Sequence, residues 1–332
     1  MLRRIFRWAA FFLWLLLAFA AWMTWFALAP VNLAKSPTDF SIRAGSSLRS
    51  ATRQMITAGV DIPAWQFNVL ARMAGSETSI KAGPYEVLAG TSPWELLDKI
   101  TSGDFAQSEV LLVEGWTFRQ LRAALNAHAR LTHDTQGLSD AEIMKRLGMP
   151  GQHPEGMFFP DTYLFGNRES DLTVLARARD AMHKQLQAAW QQRAPDAPLA
   201  SAYEALILAS IIEKETGAPA ERAQIAGVFA NRLRIGMRLQ TDPAVIYGLG
   251  EGFDGNLRKR DLEKDGPYNT YVRSGLPPTP IASPGLASLM AAVNPAKSES
   301  LYFVSRNDGS SEFSRTLDDH NRAVARYQKP SG

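Results

Sequence analysis

The N-terminal segment is the feature that most constrains this chain. From Trp8 to Ala29 it runs for 22 residues without a charge, and only Thr24 is polar. A helix needs about 20 apolar residues to cross the hydrocarbon core of a bilayer. Arg3, Arg4 and Arg7 precede the run, and basic residues favour the cytoplasmic side of a membrane. The segment therefore predicts one membrane-spanning helix, with a cytoplasmic N-terminus and with all later residues outside the cytoplasm.

A cleaved signal peptide is the alternative interpretation of the same segment. Ala18-Phe19-Ala20 provides a small-x-small cleavage site after a short apolar stretch. Trp22, Met23 and Trp25 carry the apolar run well past that site, which favours a retained anchor. A mature chain beginning near Ala21 would contradict the anchor.

The charge balance argues against a nucleic-acid partner. Lys and Arg number 36 against 33 Asp and Glu, and three of the basic residues lie within the first seven positions. The rest of the chain is therefore neutral, and no basic stripe remains to follow a phosphate backbone.

The reactive residue types also exclude several kinds of enzyme. The five histidines lack zinc-ligand spacing, and the chain contains no cysteine, so we expect no metal and no other cofactor. Neither Gly-x-Ser-x-Gly nor Ser-x-x-Lys occurs, which excludes the usual serine acyl-transfer arrangements. Carboxylates, amides and aromatic rings remain, and these groups are typical of sites that bind and cleave sugars.

A short unit recurs between residues 40 and 130. Each copy has an apolar strand, a glycine, a hydroxyl residue able to cap a helix, and then an amphipathic helix, with Ser46, Ser92 and Thr117 as the capping residues. Ser92 with Glu95, and Thr117 with Gln120, have the spacing of capping boxes. These units predict small strand-and-helix modules.

One helix after residue 198 is apolar on nearly every face. Prolines at 195 and 198 break the preceding helix, Ala205 to Ile212 then contains a single polar residue, and Gly217 is expected to end the helix. A helix that is apolar all round is buried in a core. The buried helix nevertheless finishes in Glu213-Lys214-Glu215, which places carboxyl groups at the edge of that core.

The second half of the chain contains a series of motifs in a fixed order, at Glu155–Tyr163, Ala209–Thr216, Asn231–Leu233, Leu239–Pro243, Tyr268–Tyr271, Gly275–Pro278 and Asn294–Ala296. These motifs resemble those of a known family, the membrane-anchored endolytic murein transglycosylases of the MltG or YceG-like type, and the resemblance covers almost the whole chain. Thr279 departs from the small residue expected between the prolines, which bears on loop shape.

The resemblance implies an α+β architecture in four segments. Residues 1–29 would form the cytoplasmic N-terminus and transmembrane anchor, 30–112 a LysM-like membrane-proximal domain, 113–198 a connecting subdomain and 199–332 the catalytic domain. The catalytic domain is expected to be a mostly helical, lysozyme-like core with a β-hairpin around Asn307-Asp308-Gly309. The LysM-like modules either bind glycan or only hold the catalytic domain away from the membrane.

The implied function is the internal cleavage of nascent peptidoglycan strands at a bacterial inner membrane. Lytic transglycosylases break the bond between N-acetylmuramic acid and N-acetylglucosamine and leave 1,6-anhydro ends, here limiting strand elongation. The expected partners are the glycan strands, the membrane crossed once, and peptidoglycan synthases, with the catalytic domain in the periplasm.

The resemblance and the buried helix together make Glu213 the candidate general acid/base. Burial of a carboxyl favours its neutral form, which a proton donor needs. Glu215 lies about 200° around the helix from Glu213 and is the second candidate. Substrate-binding roles are expected for amide, carboxylate and aromatic side chains in the matched motifs, namely Gln240, Asp242, Tyr247, Asn269, Tyr271 and Glu155.

Two other functions stay open at the level of sequence. A hydrolytic muramidase on the same scaffold would need a second carboxylate across the cleft, with Asp242 or Glu155 as candidates. A non-enzymatic wall-binding scaffold would use Glu213 only as a helix-end carboxylate paired with Lys214 or a nearby arginine.

Overall fold

A computed structural model describes residues 2–215 and 218–328 of the chain. It is a mixture of helices and small two-stranded sheets, with one long apolar helix at the N-terminus. The predicted α+β class and the N-terminal helix are thereby confirmed. Gly217, predicted to end the apolar helix, lies outside the described residues, as does Thr216 of the family motif.

The chain divides into two compact units. Unit 1 comprises Met1–Glu109 and Leu164–Glu169, and unit 2 comprises Val110–Tyr163 and Ser170–Gly332. The boundaries of the four predicted segments stay predictions.

Unit 1 begins with the apolar helix and continues as short strands and helices. Its elements are α1 (Leu2–Leu28), β1 (Asn32–Leu33), β2 (Thr38–Ile42), α2 (Leu48–Thr57), β3 (Val60–Asp61), α3 (Ala64–Met73), β4 (Gly83–Val87) and α4 (Pro93–Ser102). The strands pair antiparallel, β1 with β3 and β2 with β4. Within α1, the stretch Phe6–Leu28 is long and apolar enough to cross a membrane.

Of the two caps predicted in unit 1, Ser92 begins α4 as expected, whereas α2 is capped by Ser47 and not by the predicted Ser46. Ser92 accepts a hydrogen bond from the backbone of Glu95, whose side chain bonds back to Ser92. Along β2 buried and exposed residues alternate, and the buried Phe40 stacks on Tyr85 of β4 with ring centroids 5.4 Å apart. This strand pair and the helices therefore enclose one apolar core.

Unit 2 is mostly helical. Its elements include α5 (Phe118–Ala127), α6 (Asp140–Arg146), α7 (Asp171–Gln191), α8 (Ala202–Glu215), α9 (Arg222–Arg234), α10 (Asp242–Leu249), α11 (Lys259–Glu263), α12 (Leu286–Val293), β7 (Tyr302–Ser305), β8 (Ser311–Ser314) and α13 (Leu317–Tyr327). The remaining strands, β5 (Gln107–Leu111) and β6 (Thr162–Gly166), pair with each other.

The core of unit 2 is built around α8. Every residue from Ala205 to Ile212 is buried, and helices α7, α9 and α12 pack against it. The expected burial of this helix is confirmed, as is the hairpin of β7 and β8. Because α8 runs through the core, its C-terminal carboxyl groups are held at fixed positions.

Candidate active site

Glu213 and Glu215, at the end of α8, point to different surroundings. They are two positions apart, which separates them by about 200° around the helix axis. Glu215 opens on a cavity of about 430 Å³, whereas Glu213 contacts the start of α12. The two carboxyl groups therefore cannot act on the same bond.

The cavity at Glu215 is lined by polar and aromatic groups. Arg232 of α9, Asp242 of α10 and Tyr302 of β7 contribute to its wall, together with Gln240 and Tyr271 from loops. Three of the residues predicted to bind substrate, Gln240, Asp242 and Tyr271, thus lie together. The carboxyl group that they surround is Glu215.

Two loops are joined beneath this cavity. The backbone N–H of Gln240 donates to the Thr270 carbonyl at 3.1 Å, and the N–H of Thr241 donates to the Thr270 hydroxyl at 3.0 Å. Gln240 has a φ of 50°, in the left-handed region that residues other than glycine adopt at a cost. Strain of this kind persists only where the surroundings hold it, and it concentrates at functional sites.

Burial raises the pKa of Glu215 to about 7. The charge of Asp242 acts in the same direction, while the Thr241 hydroxyl and the Arg232 guanidinium partly oppose the rise. A carboxyl that titrates near neutrality can both give and take a proton at physiological pH. Glu215 therefore has the electrostatics of a general acid/base.

Tyr271 and Asp242 form a pair on the cavity wall. The Tyr271 hydroxyl donates to Asp242 Oδ1 at 2.5 Å, and burial raises the pKa of Tyr271. Asp242 itself is exposed and begins α10. A molecule in the cavity would therefore meet the edge of the Tyr271 ring and the Asp242 carboxylate, whose orientation the hydrogen bond fixes.

Arg232 was not among the residues selected from the sequence. It is 6% exposed, donates from Nη1 to the Leu239 carbonyl at 2.6 Å, and lies over the Tyr302 ring at 5.3 Å. It therefore both fixes the loop before Gln240 and brings positive charge near Glu215. The only sequence signal for it was its place in the matched Asn231–Leu233 motif.

Glu213 lies in a different environment. Its Oε2 accepts a hydrogen bond from the Gly285 backbone N–H at 3.0 Å, and its Oε1 lies 3.9 Å from Arg222. The carboxyl side chain is only 7% exposed. These contacts connect α8 to the start of α12 and to the first residue of α9, and the catalytic role of Glu213 stays a prediction.

Glu155 and Tyr247 belong to a buried network. Glu155 is 3% exposed, and its Oε1 accepts the Phe118 N–H at the start of α5 at 2.9 Å. Its carboxyl also bonds with the Tyr247 hydroxyl, and burial raises its pKa to about 7. The Tyr247 ring packs edge-on against Tyr268 at 4.9 Å. The structure thus gives both residues protein partners apart from the Glu215 cavity, and their predicted sugar contacts stay predictions.

Asn269 organises a loop. Its amide donates to the backbone carbonyls of Asp261, Leu262 and Lys264, and its side-chain oxygen accepts the Tyr271 N–H at 2.9 Å. The side chain is buried and its hydrogen-bonding groups are occupied by the backbone. Asn269 therefore positions Tyr271, while its predicted contact with substrate stays a prediction.

The donor set gives no sign of a metal centre. Within residues 2–215 and 218–328, no three His, Asp or Glu side chains are grouped so that they could hold an ion. The cavity at Glu215 is lined by protein carboxyl, amide, guanidinium and phenol groups. A carboxyl with a raised pKa beside a second carboxylate, in an open aromatic and polar cavity, is typical of enzymes that cleave glycosidic bonds.

Comparison with known proteins identifies the family within this class. Residues 40–326 match the YceG-like family. The endolytic murein transglycosylase of Bacillus subtilis (strain 168) is 31% identical over 318 residues, covering 90% of this chain and 88% of that protein. The protein of the same name from Streptococcus pneumoniae is 28% identical and covers 91% of this chain and 60% of the longer relative.

A solved structure is also similar. The crystal structure of a YceG-like protein from Listeria monocytogenes aligns with a TM-score of 0.54 at 30% identity, over 87% of this chain and 99% of that one. The chain therefore belongs to the YceG-like family, as its motifs indicated.

Proposed function

We propose that this chain is an endolytic peptidoglycan transglycosylase that cuts glycan strands between N-acetylmuramic acid and N-acetylglucosamine. The observation that carries the proposal is the Glu215 cavity, because it combines a carboxyl of pKa about 7 with polar and aromatic walls. Relatives named endolytic murein transglycosylase, which match along most of this chain, support the same activity.

Glu215 is the general acid/base in this proposal. Its opening onto the cavity and its raised pKa favour it over Glu213, which hydrogen-bonds the start of α12. Glu213, the candidate from the sequence, remains the alternative. The two assignments predict opposite results when each glutamate is changed to glutamine.

The proposed reaction needs one carboxyl group from the protein. Neutral Glu215 protonates the glycosidic oxygen, the bond from that oxygen to C1 of the muramic acid breaks, and the N-acetylglucosamine residue leaves with a free hydroxyl. The C6 hydroxyl of the muramic acid then bonds to C1 and gives its proton to the Glu215 carboxylate. The enzyme regains its neutral carboxyl, no water is consumed, and the product carries a 1,6-anhydro end.

The other cavity residues orient the strand. Gln240 offers an amide to sugar hydroxyls, and Tyr271, held by Asp242, offers a phenol and a ring. In this proposal the Asp242 carboxylate, which lines the same cavity as Glu215, stabilises positive charge developing at C1. The substrate's own acetamido group can share that role.

A hydrolytic muramidase is the second candidate, and Asp242 is the observation that favours it. A carboxylate that shares the cavity with Glu215 could serve as the base or nucleophile of a hydrolase. Glu155, the other carboxylate considered for this role, is buried and bonded to Phe118 and Tyr247. The two candidates differ in their products.

The proposal also covers location. The stretch Phe6–Leu28 fits a single-pass anchor, and the arginines before it favour a cytoplasmic N-terminus with the rest of the chain in the periplasm. In that setting the lysozyme-like catalytic half would meet strands as peptidoglycan synthases release them. The LysM-like half would bind glycan or act as a spacer.

The mass of the products tests the function. Full-length protein in detergent is mixed with purified glycan strands, and the new ends are analysed by mass spectrometry. Ends lighter by one water than reducing ends support the transglycosylase. Reducing ends support the hydrolase, and the absence of cleavage at high enzyme concentration would leave only a wall-binding scaffold.

A further inference from the structure

The C-terminal end of α1 is part of the core of unit 1. Met23, Phe26 and Ala27 are 3%, 7% and 8% exposed, and they belong to the same apolar cluster as the helices that follow. After the helix, the Val31 N–H donates to the Thr91 carbonyl at 2.8 Å, just before α4. The anchor and unit 1 are therefore continuous, with no free tether between them.

This packing brings α3 level with the last turns of α1. The Trp22 and Trp65 rings stack with centroids 5.4 Å apart and planes inclined by 22°. Trp22 lies six residues before Leu28, which is about 9 Å along the helix. If α1 spans a membrane up to Leu28, Trp65 lies below the outer edge of the span, within the roughly 5–10 Å that interfacial helices enter.

The surface at this end of α3 suits such a position. Trp65 stacks on Trp22 yet remains 57% exposed, and Trp25 and Leu28, in the last turns of α1, are 68% and 66% exposed. The chain carries no charge from Ile62 to Ala71. Tryptophan rings concentrate where headgroups meet acyl chains, because one edge is apolar and the other can donate a hydrogen bond.

The charged residues nearest in sequence to the first turns of α3 lie toward the aqueous side. Asp61 of β3 pairs with Asn32 of β1, which follows the end of α1. At the far end of α3, Arg72 forms an exposed ion pair with Glu77 at 3.2 Å. Only the first turns of α3 are therefore both uncharged and level with α1.

We propose that the N-terminal end of α3, with Trp65 at its tip, inserts into the boundary between headgroups and acyl chains on the side where unit 1 leaves the membrane. The inference rests on the membrane anchor given under the proposed function. Its consequence is that unit 1 contacts the bilayer at two points, α1 and α3, so its orientation relative to the membrane plane is fixed.

The test uses the absence of cysteine from the chain. Three single-cysteine variants of the full-length protein, Trp65→Cys, Met73→Cys and Phe12→Cys, are spin-labelled and reconstituted in vesicles of phosphatidylethanolamine and phosphatidylglycerol. All three side chains are exposed in the protein, so the substitutions leave the core intact. Collision rates with oxygen and with a water-soluble nickel chelate are measured by electron paramagnetic resonance.

Lipid contact has a signature that burial in protein lacks, because oxygen collisions rise while chelate collisions fall. We expect a several-fold higher oxygen-to-chelate ratio at position 65 than at Met73→Cys on the same helix. A high ratio at both positions would extend the lipid contact along α3. A ratio at 65 as low as in water, or low collisions with both reagents, as in contact with a second protein chain, would overturn the inference.

Position 12 separates failure of the inference from failure of the anchor. A label there lies in the middle of α1 and should show lipid contact if α1 spans the bilayer. Lipid contact at 12 with aqueous exposure at 65 refutes only the insertion of α3. Aqueous exposure at 12 refutes the anchor itself.

Discussion

Unit 2 contains two carboxyl groups whose pKa burial raises to about 7, Glu215 and Glu155, and their surroundings differ. Glu215 opens on a cavity of about 430 Å³, whereas Glu155 is bonded to Phe118 and Tyr247 and is 3% exposed. The comparison teaches that a raised pKa alone does not identify a catalytic acid. A substrate must also reach the carboxyl, and only Glu215 meets both conditions.

The first effect expected from this difference is on stability, through Glu155. Its pKa is raised on folding from an ordinary 4.5 to about 7, so the folded state binds the proton more tightly. The resulting stabilisation is fully present below pH 4.5 and is lost as the pH rises to 7. The shift corresponds to about 3 kcal/mol.

Glu155→Gln should remove this part of the pH dependence. The neutral glutamine can still accept the Phe118 N–H, so the fold should persist. Thermal unfolding of full-length protein in detergent, followed by circular dichroism at pH 5 and 7.5, should show a smaller fall in Tm for the variant than for the parent. Glu263→Gln, at an exposed ion pair, serves as the control and should follow the parent. An equal fall in Tm for the parent and both variants would contradict the titration of a buried Glu155 carboxyl.

The next effect is on the rate of strand cleavage as a function of pH. If neutral Glu215 donates the proton, the rate should fall above pH 7 by about tenfold per unit. The Glu155→Gln variant should show the same fall in rate above pH 7, because Glu155 lies outside the cavity. If the fall in rate above pH 7 disappeared in Glu155→Gln, the roles assigned to the two carboxyl groups would be reversed.

A smaller effect is expected from the two tyrosines. Tyr271→Phe removes the donor to Asp242 and should reduce kcat/KM by about tenfold, as expected for losing a hydrogen bond to a charged group. Tyr247→Phe removes the partner of Glu155 and should lower Tm with little change in rate. Steady-state kinetics on glycan strands of defined length distinguishes the two. An equal loss of activity in both variants would place Tyr247 in the groove, as the sequence suggested.

Much of the fold could be predicted from local chemistry. The capping residues Ser92 and Thr117 start helices where expected, and the turn at Asn307-Asp308-Gly309 joins β7 to β8. These features depend on neighbouring residues in the chain. The burial of α8 could also be predicted, because its apolar residues cover every face.

The arrangement of the site could be predicted only in part, because it depends on contacts between residues that are distant in the chain. A helix that is buried on all sides gives no sign of which face of its polar end meets a cavity. The loops around Gln240 and Thr270 decide this, and their contact joins residues 29 positions apart. Glu155 likewise caps a helix 37 residues earlier in the chain. A polar residue such as Glu155, which the sequence suggests as a substrate contact, can therefore have a structural role that only its long-range partner reveals.

The central claim is that Glu215, and not Glu213, donates the proton. Glu213→Gln and Glu215→Gln are compared as full-length proteins on the same glycan strands, with circular dichroism to establish that both are folded. Glutamine at 213 can still accept the Gly285 N–H, whereas glutamine at 215 has no proton to transfer. We expect Glu215→Gln to lose about 10²- to 10⁴-fold in rate and Glu213→Gln to stay within a few-fold of the parent. A folded Glu215→Gln variant that cleaves at the parent rate, beside an inactive Glu213→Gln, would contradict the account.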